Sequence, residues 1–208
     1  MYLNYILISL LLILISLFLI NFKKIEKFRN DNKRTFDFTL SLVSTFTAFF
    51  IALSLNTILG GIQQKKNLVK LLNASNLAVG NAQMRTQGTY LNNMKNGISL
   101  TELLKTTPAE LPRIFPNLEE NDLVNTYFSA NGFQAYIMCM DGMENFVNNL
   151  NAPNVPESSK IKAVNDYMNY LALAIKINTL ERDRISGAIS QSEEDNQLKT
   201  VASQLTIK

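Results

Sequence analysis

The clearest cluster of soft metal ligands in this sequence is Met138, Cys139, Met140 and Met143, with Asp141 and Glu144 beside it. Thioether and thiolate donors favour Cu(I). On a helix, however, residues 138, 139 and 140 point about 100° apart and cannot converge on one ion. Buried Met and Cys are ordinary bundle-core side chains, so packing is the expected role. Two groups of carboxylates, Glu119, Glu120 and Asp122, then Glu193, Glu194 and Asp195, have the residue types for acid–base work or for a divalent cation. Each group precedes a predicted helix, where the dipole favours negative charge with no chemistry required. Glu181-Arg182-Asp183-Arg184 alternates in sign and predicts a solvated, salt-bridged helix face. Asn73-Ala74-Ser75 fits a glycosylation sequon, a pattern frequent by chance in an Asn-rich chain.

The residue inventory removes several chemistries outright. The chain contains no His, which excludes a Ser-His-Asp triad, a Cys-His dyad and a His-ligated metal. Its eight glycines are scattered, and Gly60-Gly61 lacks the Lys-Ser/Thr that completes a phosphate-binding loop. No catalytic residue, cofactor or metal site is therefore predicted. Cys139 is the single cysteine, so no internal disulfide holds the fold.

The elements that must position these side chains begin with two uncharged runs. Met1 to Phe22 carries no charged residue, and Phe38 to Gln64 carries none either. About 20 apolar residues cross a bilayer core of roughly 30 Å, so residues 1–22 and 36–61 are predicted transmembrane helices. No Lys or Arg precedes the first run and no small-residue cleavage site ends it, which favours a retained anchor over a signal peptide. Thr39, Ser41, Ser44, Thr45, Thr47, Ser54 and Thr57 make the second run more polar, but such hydroxyls can bond back to backbone carbonyls. Ser44, Ala48 and Ala52 recur every four residues on one face of the second helix, and Ser9 and Ser16 lie seven apart on the first. Small residues let helix backbones approach closely in lipid. That stripe is expected either to close the hairpin or to join protomers.

Charge adds an orientation. The linker at residues 23–35 holds Lys23, Lys24, Lys27, Arg29, Lys33 and Arg34, whereas only Lys65, Lys66 and Lys70 closely follow the second span and none precedes the first; residues 62–208 as a whole carry 14 basic and 14 acidic side chains. The positive-inside rule predicts a cytoplasmic linker, with the N-terminus and residues 62–208 outside the cytoplasm. A neutral domain of scattered charge gives no nucleic-acid footprint.

Beyond Gly60-Gly61, where a bend or a continuous helix are both allowed, the pattern is helical throughout. Ser99 and Glu102 match a capping box. Pro108, Pro112 and Pro116 predict an extended connection from Thr106 to Asn117. Helices are expected over Leu123 to Ala130 and Phe133 to Val147, separated at Asn131-Gly132, and Asn151 to Ser159 is expected to be a loop. Glu157 to Ser190 is apolar on most faces and predicts a central helix, followed by an amphipathic helix from Ser192 to Leu205. The fold class expected is all-α, a two-helix transmembrane hairpin plus a C-terminal helical bundle. Such a plan is similar to that of several bacterial membrane-protein families and implies an inner or plasma membrane location. The corresponding function is a non-enzymatic membrane-anchored protein. Its outer domain would bind a ligand or protein partner or scaffold a complex, with the bilayer and a second copy or another membrane protein as partners. The alternative is an oligomeric effector or pore-forming protein.

Overall fold

The computed structural model describes residues 2–21 and 26–206, with side chains for all of these except residues 2, 3, 27–29 and 206. It is all-helical, with no strand among the described residues. The chain divides into two compact units, Met1–Gln64 and Lys65–Lys208.

The first unit contains α1 (Tyr2–Asn21), α2 (Glu26–Asp31) and the beginning of α3 (Lys33–Thr86). Residues 26–31 of the basic linker are thus helical. Tyr5 of α1 stacks on Phe50 of α3, ring centroids 6.2 Å apart at 24°. Two windows are long and apolar enough to cross a membrane: Asn4–Asn21, at mean hydropathy 2.3, and one within Lys33–Lys95, at 1.9. Only 6% of each is buried in the structure, which separates them from the core helices of a soluble domain. Leu14 and Leu59, for example, stand largely in the open.

Seven hydroxyls on these helices are satisfied within their own turns. Those of Ser9, Ser16, Thr39, Thr45, Thr47, Ser54 and Thr57 each donate to the carbonyl four residues earlier, at 2.8–2.9 Å. Asn21 does the same to Leu17, at 2.9 Å. In hydrocarbon a polar group without a partner costs several kcal/mol by order of magnitude, so local bonding of this kind is what such a helix requires. Of the two courses that Gly60-Gly61 allowed, the chain takes the continuous one, α3 running unbroken through both residues.

In the second unit α3 gives way to a π-helical turn, Gln87–Leu91, then α4 (Asn92–Lys95), α5 (Leu100–Thr106), α6 (Ile114–Glu119), α7 (Asp122–Tyr127), α8 (Ala130–Asn151), α9 (Glu157–Ser186) and α10 (Gln191–Thr206). The central helix is α9, packed against α8, α10 and α5. It buries Ala163, Val164, Tyr167, Tyr170, Leu171 and Ile177 among others. It stops at Ser186 rather than Ser190 because Gly187 adopts φ +80°, a left-handed conformation open to glycine, and Ala188 N–H donates to the Asp183 carbonyl at 2.7 Å.

Three further expectations are corrected by local chemistry. Asn131-Gly132 does not separate two helices: Ser129 caps α8 by accepting from Gly132 N–H at 2.9 Å, so both residues lie in its first turn. Pro116 lies inside α6 rather than in an extended segment, at a first-turn position whose N–H has no intrahelical partner to lose. Ser99 precedes α5, but no capping box forms. Instead Glu157, at the start of α9, accepts from Leu100 N–H, Ser99 Oγ and Thr101 Oγ1, each at 2.7 Å. Those bonds hold its carboxyl down at about 2, chiefly through the two hydroxyls.

Candidate functional site

The chief concave surface of the helical domain is built by two irregularities in the backbone. The first is the π-helical turn, where Asn92 N–H reaches back five residues to the Gln87 carbonyl. Such turns insert one extra residue into a helix and concentrate at functional sites. Here the turn delivers Tyr90 to the interior, 5% exposed. The second is the segment from Thr107 to Arg113, held open by Pro108 and Pro112.

Long-range side-chain bonds pin that segment. Tyr90 OH donates to the Thr107 carbonyl at 2.8 Å, and Tyr167 OH to the Glu110 carbonyl at 2.9 Å. Between them, the Asn151 amide pairs with the Ala109 backbone in both directions, accepting from its N–H at 2.9 Å and donating to its carbonyl at 2.8 Å. A stretch with few backbone partners of its own thereby becomes a fixed wall.

Between this wall and the end of α3 lies a half-open groove of about 520 Å³, within the range of small-molecule sites. Tyr90 and Tyr167 lie along it, with Ala82 as a small side chain from α3 and Arg85, Glu110 and Arg113 as its charges. All three charged residues are exposed. Burial is the main reason that both phenols are shifted up; the Arg85 charge opposes the shift and Glu110 adds to it. Both phenols therefore stay protonated at neutral pH and are already committed as donors. The lining offers cationic donors over an aromatic and apolar surface, which is the chemistry of recognition.

A second polar cluster is enclosed. Glu181 and Glu194 are both fully buried, contrary to the solvated face expected around residue 181. Glu181 Oε1 accepts from Ser129 N–H at 2.9 Å and Ser129 Oγ at 2.7 Å, and its other oxygen is ion-paired with Arg184. The same guanidinium lies 2.9 Å from Glu194 and donates to the Tyr127 carbonyl. Two buried carboxylates thus share one cation. Burial and the Glu181 charge raise the Glu194 carboxyl to about 7, outweighing the lowering by Arg184. Gly132 is required beside this cluster, because a Cβ there would overlap the Glu181 carboxylate.

The residues singled out from sequence fall elsewhere. Ser44, Ala48 and Ala52 are exposed on α3, Ser16 is half-buried and Ser9 is buried, as is Ser54, which the stripe did not include. Lys33 and Arg34 are exposed on the first turn of α3. Lys27 and Arg29 belong to α2, with side chains outside the described set, and Lys23 and Lys24 lie outside the described residues altogether. Cys139 is buried, its Sγ donating to the Tyr170 carbonyl at 3.3 Å, and burial pushes the thiol up to about 12. That makes it an unreactive core group. Ser75 of the sequon is fully buried within α3. Of the second carboxylate group, Glu194 turns inward whereas Asp195 accepts from Asn131 Nδ2 at 2.8 Å.

The groove residues were missed because no short motif joins them: they come from α3, the π-helical turn, the Pro-rich segment and α9. Pro108 and Pro112 flanking Glu110 were the one visible signal, read only as an irregular connection. Searches of protein-family models, of curated proteins and of solved structures find no match to this chain.

Proposed function

We propose that this is a non-enzymatic, membrane-anchored protein whose helical domain binds a small ligand or partner segment in the groove beneath residues 107–113. The anchor is the pair of apolar helices in the first unit, inserted as a hairpin with the basic linker cytoplasmic and the helical domain on the opposite side. Their exposure supports this, since a bilayer is the solvent that such surfaces need. The observation that carries the binding role is the groove itself, with a wall fixed by three long-range side chains and an interior left unfilled. Its polar groups supply no nucleophile paired with a base, which supports recognition over catalysis.

The test compares what copurifies with the full chain, extracted from membranes in mild detergent, for the native protein and for Ala82→Trp, which fills the groove. Loss of the same species from a variant with unchanged melting temperature is the expected result. Identical copurification would remove the groove from the function. Protease digestion of intact cells tests the orientation: the domain is expected to be cut from outside, and protection would reverse the assignment.

A second reading, an oligomeric effector that forms or perturbs a pore, rests on the exposed Ser44, Ala48 and Ala52 stripe of α3. The back-bonded hydroxyls of Thr45 and Thr47 weigh against it, because their protons are already spent on the helix. A strictly monomeric mass in detergent would exclude the multi-chain pore.

A further inference from the structure

We propose that the groove selects a ligand bearing a phosphate or carboxylate on a small apolar body, with Arg85 and Arg113 holding the anionic group. The inference rests on the binding role assigned to the groove and adds the chemical class of its occupant.

The arginines of this domain differ in how they are used. Arg182 pairs with Asp183 at 2.8 Å, and Arg184 with Glu181 and Glu194. Arg85 and Arg113, the two that line the groove, make no ion pair and donate no hydrogen bond among the described residues. Glu110 lines the same groove, yet no ion pair joins it to either. Two guanidinium groups therefore face one concave surface with their donors uncommitted, against one carboxylate, for a net charge of +1 on the lining. Guanidinium is the side chain best matched to a planar carboxylate or a phosphate, because its donors form a fixed fork.

The positions of these arginines are set by rigid neighbours. Arg85 leaves the last turn of α3 directly before the π-helical turn. It lines the groove together with Tyr90 and Tyr167. Arg113 follows Pro112 in the pinned wall and directly precedes α6, making no side-chain capping bond to it. The anion would sit between two backbone elements that the fold already holds, so the ordering cost at binding is confined to the two arginine side chains. The apolar body would lie along Ala82 and the tyrosine rings. Glu110 opposes an anion, and its carboxylate limits the site to ligands carrying a single anionic group.

The test uses the full chain in phosphatidylcholine nanodiscs, with alanine methyls labelled for NMR and phenyl phosphate as probe. Phenyl phosphate is expected to move the Ala82 and Ala109 methyls, with benzyl alcohol and benzylamine binding at least about tenfold more weakly. Arg85→Gln and Arg113→Gln should each weaken phenyl phosphate by about tenfold or more, the range for one charged hydrogen bond. Glu110→Gln should tighten it. A parallel titration in nanodiscs of phosphatidylcholine and phosphatidylglycerol, four to one, identifies the natural source. Competition by the anionic lipid assigns the anion to a lipid headgroup, and its absence assigns a soluble anion. If benzyl alcohol or benzylamine binds as tightly, or both arginine variants leave phenyl phosphate unchanged, anion selection is wrong and the groove remains a site. If neither phenyl phosphate, inorganic phosphate nor the anionic lipid moves those methyls, this proposal fails. If in addition Ala82→Trp retains every copurifying species, the binding role fails with it.

Discussion

Polar side chains are handled in opposite ways in the two units. In Met1–Gln64 seven hydroxyls bond to their own helix, four residues back, and the apolar surface is left outward. In Lys65–Lys208 some polar groups also bond locally, but several of the buried ones reach across the fold. Asn178 donates to Ser75 at 3.0 Å, Asn76 to Thr179 at 3.1 Å, Tyr170 to the Leu205 carbonyl at 3.0 Å, and Glu181 takes both donors of Ser129. With the first unit placed in hydrocarbon, as proposed above, its polar groups must be satisfied locally, because such surroundings offer none. A packed domain can use them as tertiary fasteners, provided each buried group finds a partner. Side-chain deletions should therefore be tolerated in the first unit and costly in the second.

The sharpest way to break this contrast is at the buried ion cluster. Glu181→Ala leaves two Ser129 donors unmatched and Arg184 with Glu194 alone, so thermal unfolding of the full chain in detergent should show a loss of about 2–4 kcal/mol. A loss below about 1 kcal/mol would mean that the cluster is not a fastener. Next in size is Gly142→Ala, which drives a methyl into the Tyr170 ring. Overpacking of this kind costs about 1–3 kcal/mol, and an unchanged melting temperature would show that α8 and α9 are not so closely packed.

The third prediction is a pH dependence. With its carboxyl raised from 4.5 to about 7 in the folded protein, Glu194 binds a proton more tightly folded than unfolded. Its contribution is complete below pH 4.5 and is lost as pH rises through about 7. Glu157 shifts the opposite way and changes stability only as pH falls below its ordinary value toward 2. The domain should therefore melt at a lower temperature at pH 8 than at pH 5, and Glu194→Gln should flatten that slope. A slope retained in the variant assigns it to another group. Smallest of all is Thr47→Val in the first unit, which removes a local bond to the Val43 carbonyl and should shift unfolding by less than about 0.5 kcal/mol, as for substitutions away from tertiary features. A large loss would mean that this hydroxyl has a tertiary partner and that the contrast fails.

Legibility follows the same division. Both apolar runs, the start and central place of α9 and the final amphipathic helix were readable, because hydropathy and a period of 3.6 residues are properties of a sequence window. The cap of α5 was misread at Glu102 because the acceptor, Glu157, lies in another helix. The charge pattern at residues 181–184 was read as solvated because sign alternation does not reveal that α10 covers Glu181. Nothing local marks Tyr90, Asn151 and Tyr167 as the pins of one segment.

What the sequence by itself determined, then, is helical class, the two long apolar helices, and the absence of every His-dependent chemistry, since each depends on composition or on neighbours along the chain. Which carboxylates are buried, which arginines remain uncommitted, and where a groove opens were decided only by tertiary structure. Each of these depends on groups up to about a hundred residues apart meeting in space, as Asn178 and Ser75 do, and pairing or failing to pair is a property of that meeting alone.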